Sequence, residues 1–313
     1  MKAIILENAG NPDQLIHTDL PEPVISENEV LVAVKAISIN PVDVKTRAGK
    51  GFYAKLKDND PLILGWDISG VVTATGKAVT AFKPGDEVFG MVNFPGTGKA
   101  YAAYVAAPAD HLARKPANIS HEAAAAATLA ALTAWQALVT NGNVQAGQKV
   151  LIHAAAGGVG HYAVQIARHL GAHVTGTASA ANKDFVLSLG ADAFIDYQTT
   201  PFETAISDVD FVLDGIGGAY IERSLEVLKP GGTLITIPSG LHEGITEKAT
   251  AKGIKGYFVL VSSNGKDMQQ LANLLEKGII QSHISHTFPF ADMAAAHEQV
   301  ATGKTRGKVI VTL

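Results

Sequence analysis

The chain has 313 residues, enough for two domains of ordinary size, and its 47% apolar and 17% charged content allows substantial cores and argues against global disorder. Lys plus Arg total 25 against 29 Asp plus Glu, a formal net charge of −4, so no basic excess points to a nucleic acid or an anionic membrane surface. Cysteine is absent, which excludes disulfides, thiolate nucleophiles and any zinc site built on sulfur.

The opening stretch Met1–Glu7 reads as a strand and lacks the apolar run and small-residue cleavage site of a signal peptide. Glu29–Ile39 alternates and is crowded with Val and Ile, and Asp67–Thr75 and Tyr101–Ala106 repeat that character. Turns such as Lys83-Pro84-Gly85-Asp86 separate them, so the chain up to His121 predicts a barrel or sandwich-like β lobe.

Beyond His121 the texture changes. Glu122–Val139 predicts a helix closed by Gly142; its alanine-rich part carries Thr128, Thr133 and Gln136 and is too short and polar to span a bilayer. A soluble, cytoplasmic protein is the expectation. Lys149–His153 predicts a strand, followed by a Gly-rich turn and a helix reaching Leu170. Ala172–Thr177 is the next strand, with a helix over Asn182–Leu189; Ala193–Ile195, Asp210–Leu213, Thr233–Ile237 and Tyr257–Val261 continue the strand series. Such alternation predicts an α/β fold with a doubly wound parallel sheet. From His283 the chain returns to strand, short helix and a last strand ending at Val311, and the pattern alone leaves open which sheet this tail joins.

The strongest local signal is Val150-Leu151-Ile152-His153-Ala154-Ala155-Ala156-Gly157-Gly158-Val159-Gly160, a strand running through a tight turn into a helix. Gly157 lets the backbone approach a pyrophosphate and Gly160 lets the helix pack on the strand, while the helix start supplies unpaired N–H groups and partial positive charge. Against G-x-G-x-x-G the first glycine is replaced by Ala155. Cofactors with a free ribose 2′-hydroxyl are held by an acid about 20 residues further on. Here Ala178 stands near that position, followed by Ser179 and Lys183, a donor and a cation suited to a 2′-phosphate. NADPH is therefore the expected cofactor.

Several separated segments together resemble the medium-chain dehydrogenase/reductase superfamily, in its quinone oxidoreductase (zeta-crystallin-like) branch. They are Ile39-Asn40-Pro41-Val42-Asp43, Gly65–Val72, Lys83–Val88, Leu132-Thr133-Ala134-Trp135, Ala154–Gly160 and Arg306-Gly307-Lys308. The resemblance covers nearly the whole chain. It implies a GroES-like catalytic domain from residues 1–121 and 281–313, with a Rossmann NADPH-binding domain, residues 122–280, inserted between them, and a cofactor in the cleft between the domains. It implies Gly157, Gly158, Val159 and Gly160 under the pyrophosphate, and Ser179, Lys183 and Tyr197 around the adenosine phosphate. Asn40 and Thr133 would look toward the nicotinamide, and Gly217, Gly218 and Pro238 would lie in turns beside the cofactor. A homodimer through the edge strand near Tyr257–Val261 would also follow the family's pattern.

Zinc-dependent members of the superfamily carry a cysteine near Asn40, a His-Glu pair where this chain has Trp66-Asp67, and a cysteine-rich loop. No metal is therefore expected. Reduction of a simple ketone builds a strongly basic alkoxide, which calls for a metal or a good proton donor. A quinone or enone instead receives hydride to give a delocalised, weakly basic phenolate or enolate, so the missing ligands select conjugated acceptors. Asn40 is expected as a donor to the acceptor oxygen or the nicotinamide ribose, and Tyr53 at the substrate mouth or in proton delivery. The alternatives are a trans-enoyl thioester reductase, and a protein of the same fold that binds NADPH without turnover.

Other signals carry less. Tyr53-Ala54-Lys55-Leu56-Lys57 has the Tyr-x-x-x-Lys spacing of short-chain dehydrogenases but precedes the glycine turn. Gly96-Thr97-Gly98-Lys99-Ala100 lacks the spacing and closing hydroxyl of a phosphate loop. The pairs His169 with His173 and His283 with His286 have no acidic or sulfur partner in sequence to complete a metal set.

Overall fold

A computed structural model describes every residue, Met1–Leu313, and divides the chain into two units, one of residues 1–132 with 261–313 and one of residues 133–260. No helix is long and apolar enough to cross a membrane.

The first unit is built on strands. A hairpin pairs β1 (Lys2–Leu6) with β2 (Leu15–Asp19). The long strand β3 (Glu29–Ile39) then pairs antiparallel with β4 (Asp67–Thr75), and β5 (Glu87–Met91), β6 (Tyr104–Pro108) and β7 (Leu112–Arg114) complete this stretch of chain. Between β3 and β4 lie the short helices α1 (Pro41–Arg47) and α2 (Tyr53–Leu56). β3 and β4 begin and end where their Val- and Ile-rich runs place them; burial alternates over the first part of β3, while its last four residues and the first four of β4 are buried on both faces.

Tyr101 departs from the expected strand over Tyr101–Ala106. Its ring is fully buried and its hydroxyl meets His297 Nε2 at 2.8 Å, while its backbone bonds to Ile4 and Leu64, so the regular strand starts only at Tyr104. The expected helix over Glu122–Val139 is also interrupted. It forms α3 (His121–Ala126) and α4 (Leu129–Trp135), then widens to π-helical turns over Gln136–Asn141. At the break the Thr128 hydroxyl donates back to the Ala125 carbonyl at 2.7 Å, and Asp67 accepts from the N–H of Leu129 at 3.0 Å, starting a new helix.

The second unit is a six-stranded sheet in which every pairing is parallel. Its strands are β8 (Lys149–Ile152), β9 (His173–Ala178), β10 (Ala193–Asp196), β11 (Val209–Asp214), β12 (Leu228–Thr236) and β13 (Lys255–Phe258). Their spatial order, β10-β9-β8-β11-β12-β13, reverses direction between β8 and β11. That is the doubly wound order in which ligands sit at the carboxyl ends of the strands, at the reversal. Helices α5 (Gly158–His169), α6 (Lys183–Ser188), α7 (Ala219–Val227) and α8 (Ile245–Thr250) connect the strands. Leu151, Phe202, Val212, Leu225 and Leu234 are among the residues of its apolar core. The last strand ends at Phe258 rather than continuing to Val261.

The tail rejoins the first unit. Strands β14 (Ile284–Pro289) and β15 (Lys308–Thr312) add to β3, β15 running antiparallel to it, and α10 (Met293–Ala301) packs over α1 and the sheet. The units meet in sequence elsewhere than at the expected boundaries. α3 packs on β3, β4 and β15, and α9 (Gly265–Glu276) packs on β7, so both belong to the first unit. Ser263 anchors the return: its hydroxyl accepts from the Phe94 N–H at 2.8 Å and its own N–H donates to the Phe94 carbonyl at 3.1 Å. An amphipathic helix has one apolar stripe that either core accepts, so periodicity could not assign α3 and α9.

Candidate active site

The glycine turn closes β8 onto α5. Gly157 is the residue before the helix, in extended backbone, and Ala155 N–H donates to Thr177 O at 2.9 Å, tying the turn to β9. Ala154 takes φ +52°, a left-handed conformation that costs an alanine roughly 1–2 kcal/mol. Gly160 explains the close packing: a Cβ there would stand 2.1 Å from Ala154 O. A Cβ on Gly157 would meet only Ala154 O, at 3.2 Å, so that glycine leaves its outer side open. The N–H groups of Gly158, Val159 and Gly160 belong to the first turn, where no intrahelical acceptor exists. This is a preformed anion cradle of backbone donors at the positive end of a helix twelve residues long, at the point where the sheet reverses.

Two further strand ends adjoin it. Asp196, the last residue of β10, pairs in register with Ala178 at the end of β9, and Tyr197 N–H donates to Ala178 O at 3.3 Å. Ser179, half-buried, and Lys183, exposed at the start of α6, follow β9 at the same edge where Tyr197, 46% exposed, follows β10. An acid that sequence distance did not bring near also arrives here. The Asp196 carboxylate is held in its own turn, accepting from Gln198 N–H at 3.1 Å and the Thr199 hydroxyl at 3.2 Å.

Across the reversal, Gly217 and Gly218 form the turn after β11, both with left-handed φ, +76° and +61°. The buried Asp214 shapes that turn. It accepts from the N–H groups of Ile216 at 2.8 Å and Gly217 at 3.0 Å, and from the Thr236 hydroxyl on β12 at 2.9 Å. Gly218 N–H donates to Leu241 O, and Pro238 is half-buried just beyond β12. Thus Gly157, Gly158, Val159, Gly160, Ser179, Lys183, Tyr197, Gly217, Gly218 and Pro238 share the carboxyl edge of one sheet. Thr133 is buried in α4.

His153 follows β8 at the start of the turn. Its ring nitrogens meet Thr177 Oγ1 and Ser224 Oγ, each at 3.1 Å, and burial, with Arg223 nearby, lowers its pKa to about 3, so it is neutral.

In the first unit Asn40 precedes α1 and is only 2% exposed. Its amide nitrogen donates to Asp67 Oδ2 at 2.7 Å and Ser38 O at 3.3 Å, and its amide oxygen accepts from the Lys308 ammonium. This revises its expected role. Both amide hydrogens are committed inside the protein, so Asn40 has no hydrogen left to donate to an acceptor oxygen and acts as a fixed node. Asp67 is the centre of that node, since its other oxygen caps α4, the helix that carries Thr133.

The surroundings are fully buried and charged. Burial raises the Asp67 pKa, against the lowering effect of Lys308 and the Asn40 bond. Burial and the neighbouring Asp67 push Asp43 up to about 7, and Tyr101 lies beside it. Burial lowers Lys308, while the two aspartates raise it. Sequence reasoning missed Asp43, Asp67, Lys308 and Asp214 as a class. The available signal was a charged residue at the end of an apolar strand, as in Asp67-Ile68-Ser69-Gly70-Val71-Val72 and Lys308-Val309-Ile310-Val311, which demands a buried partner.

Trp66 stands where zinc-dependent relatives have a histidine. It is buried against Phe94 and Phe52, at ring-centroid distances of 5.2 and 6.3 Å, and its indole N–H donates to Gly96 O at 2.8 Å. Tyr53 is half-buried at the start of α2.

Residues 26–117 match the family described as alcohol dehydrogenase GroES-like domain, and residues 189–311 the family described as zinc-binding dehydrogenase. The chain is 32% identical to the mitochondrial NAD(P)H oxidoreductase RTN4IP1 of Bos taurus, covering 100% of this chain and 89% of that protein. It is 34% identical to a chloroplastic NADPH-dependent alkenal/one oxidoreductase of Arabidopsis thaliana, covering 99% and 79%. Among solved structures, the quinone oxidoreductase from Coxiella burnetii superposes with a TM-score of 0.95 at 38% identity, covering 100% of this chain and 99% of that one. With the sheet order, the glycine turn and the split first unit, these likenesses have one reading: the chain belongs to the medium-chain dehydrogenase/reductase superfamily, in its quinone oxidoreductase branch.

Proposed function

We propose that this protein is an NADPH-dependent oxidoreductase that delivers hydride to quinones or α,β-unsaturated carbonyl compounds without zinc. The observation that carries the reading is the α5 start at the sheet reversal, with Ser179 and Lys183 one strand away. Gly158, Val159 and Gly160 would hold the pyrophosphate by backbone N–H groups, and Ser179 and Lys183 the 2′-phosphate. The Arabidopsis relative's name supports both the cofactor and the acceptor class, and the Coxiella structure's title supports a quinone.

NADPH, when bound, supplies the hydride. The chain's part is to hold and shield. Asp67 fixes Asn40 and the start of α4 in one hydrogen-bonded unit, so that loop and helix keep one geometry. Zinc independence rests on donor chemistry: an indole whose N–H is already donated and an amide whose nitrogen carries two bonds replace the thiolate and imidazole that zinc requires. A delocalised enolate or phenolate leaves only a modest proton-delivery task, which we assign to Tyr53 or solvent. We also propose a homodimer through β13, the outermost strand of its sheet, whose free edge offers backbone pairing to a second copy.

NADPH oxidation followed with a benzoquinone, an alkenal and crotonyl-CoA tests the reading. Turnover with the first two is expected. Turnover with crotonyl-CoA alone would identify a thioester reductase, and NADPH binding without turnover on any acceptor a binding protein. Lys183→Glu should invert the preference for NADPH over NADH; a wild-type protein preferring NADH would overturn the cofactor assignment.

A further inference from the structure

Ser179 is not left to rotate freely. The Asn182 amide nitrogen donates to Ser179 Oγ at 3.0 Å, and Asn182 N–H donates to Ser179 O at 2.8 Å, closing a single turn between the end of β9 and the start of α6. A hydroxyl has one hydrogen and two lone pairs. With one lone pair occupied by the amide, Oγ presents its hydrogen away from Asn182, as a donor. A 2′-phosphate has only acceptor oxygens at this site when fully ionised, whereas a ribose 2′-hydroxyl both donates and accepts. Either group accepts the donated hydrogen, but the bond to the charged phosphate is the stronger, so a Ser179 held as donor favours the phosphorylated nucleotide.

The other groups at this strand end do not set the direction of that hydrogen. Lys183 adds charge but, as a flexible ammonium, sets no direction. The Asp196 carboxylate, in register with Ala178, is engaged by Gln198 and Thr199 in its own turn. Tyr197 is tied to Ala178 by its backbone.

We infer that Asn182 is a specificity-determining positioning residue, which holds the Ser179 hydroxyl as a donor and so favours a 2′-phosphorylated nucleotide. The inference rests on the NADPH reading above. Acting through the Ser179 hydroxyl, Asn182 loses its effect on NADPH when that hydroxyl is gone.

The test is a double-mutant cycle on the full chain, with dissociation constants for NADPH and NADH from nucleotide fluorescence. Asn182→Ala is expected to weaken NADPH about fivefold, part of the worth of a hydrogen bond to a charged group, and to weaken NADH less. Ser179→Ala should weaken NADPH by at least as much, and Asn182→Ala made in the Ser179→Ala background should add nothing. Asn182→Asp, which turns the amide donor into an acceptor and draws the Ser179 hydrogen toward itself, should lose more than Asn182→Ala. Thermal unfolding with a wild-type midpoint reports that each variant is folded. An Asn182→Ala variant with unchanged NADPH affinity, or an equal loss with and without Ser179, overturns the inference while leaving the cofactor assignment intact. A wild-type protein that does not prefer NADPH, and does not respond to Lys183→Glu, overturns the assignment itself.

Discussion

Lys308, on the last strand, reaches Asn40 at the end of β3: its buried ammonium donates to Ile39 O at 3.2 Å and to the Asn40 amide oxygen. A residue near the chain's end thus fixes a loop near its beginning, and β15 is sewn to the first sheet by charge as well as by backbone pairing. Replacing Lys308 by Met leaves Asp67 and Asp43 without their cation. The expected loss is about 3–5 kcal/mol of stability in urea unfolding, since breaking a buried pair is costlier than never making it. Asn40→Ala should lower both stability and turnover; unchanged values of both would remove this node from the design.

Gly160 has no room for a side chain. Gly160→Ala puts a methyl 2.1 Å from Ala154 O, so α5 must move off the turn that it starts. A destabilisation of about 1–3 kcal/mol is expected, with NADPH affinity reduced at least tenfold, because the cradle donors ride on that helix. Titration of nucleotide fluorescence and thermal unfolding measure the two effects separately.

Asp214 organises the second cofactor turn from below. Asp214→Ala removes the acceptor for Ile216, Gly217 and Thr236, each then buried or half-buried without it. An unmade buried hydrogen bond costs about 1–3 kcal/mol, so the melting temperature should fall by several degrees. Nucleotide binding should weaken as the Gly217-Gly218 turn loosens, and a variant with wild-type affinity would show that this turn does not bear on the cofactor.

In acid, buried histidines and buried carboxyls pull the stability in opposite directions. Burial lowers His153 and His297 to about 3, and burial with Asp67 raises Asp43 to about 7. Below pH about 6.5 the unfolded chain binds protons at both histidines that the folded chain refuses, so each removes about 1.4 kcal/mol per pH unit as pH falls. Asp43 works in the opposite sense. Its folded pKa is raised, so protonation favours the folded state as pH falls from 7 toward the unfolded carboxylate value, offsetting one histidine. Urea unfolding between pH 6 and 4.5 should therefore lose stability more steeply in Asp43→Asn than in the wild type, by about 1.4 kcal/mol per pH unit. Equal slopes would place the acid-sensitive groups elsewhere.

Local patterns carried much of the architecture. The alternation in Glu29–Ile39 and Asp67–Thr75, the βα series from Lys149 onward and the Ala154–Gly160 turn are each short-range consequences of side-chain periodicity and backbone freedom. Ala178, Ser179 and Lys183 were legible for the same reason, because they lie at a set distance along the chain from the glycines. Tertiary structure alone decided the rest. It assigned α3 and α9 to the first unit, brought Asp196 beside Ala178, gave Asn182 its hold on Ser179, and gathered Asn40, Asp43, Asp67 and Lys308 into one buried node. Hydrogen bonds and ion pairs depend on distance in space, and residues 40 and 308 leave no trace in either's neighbours that they will meet.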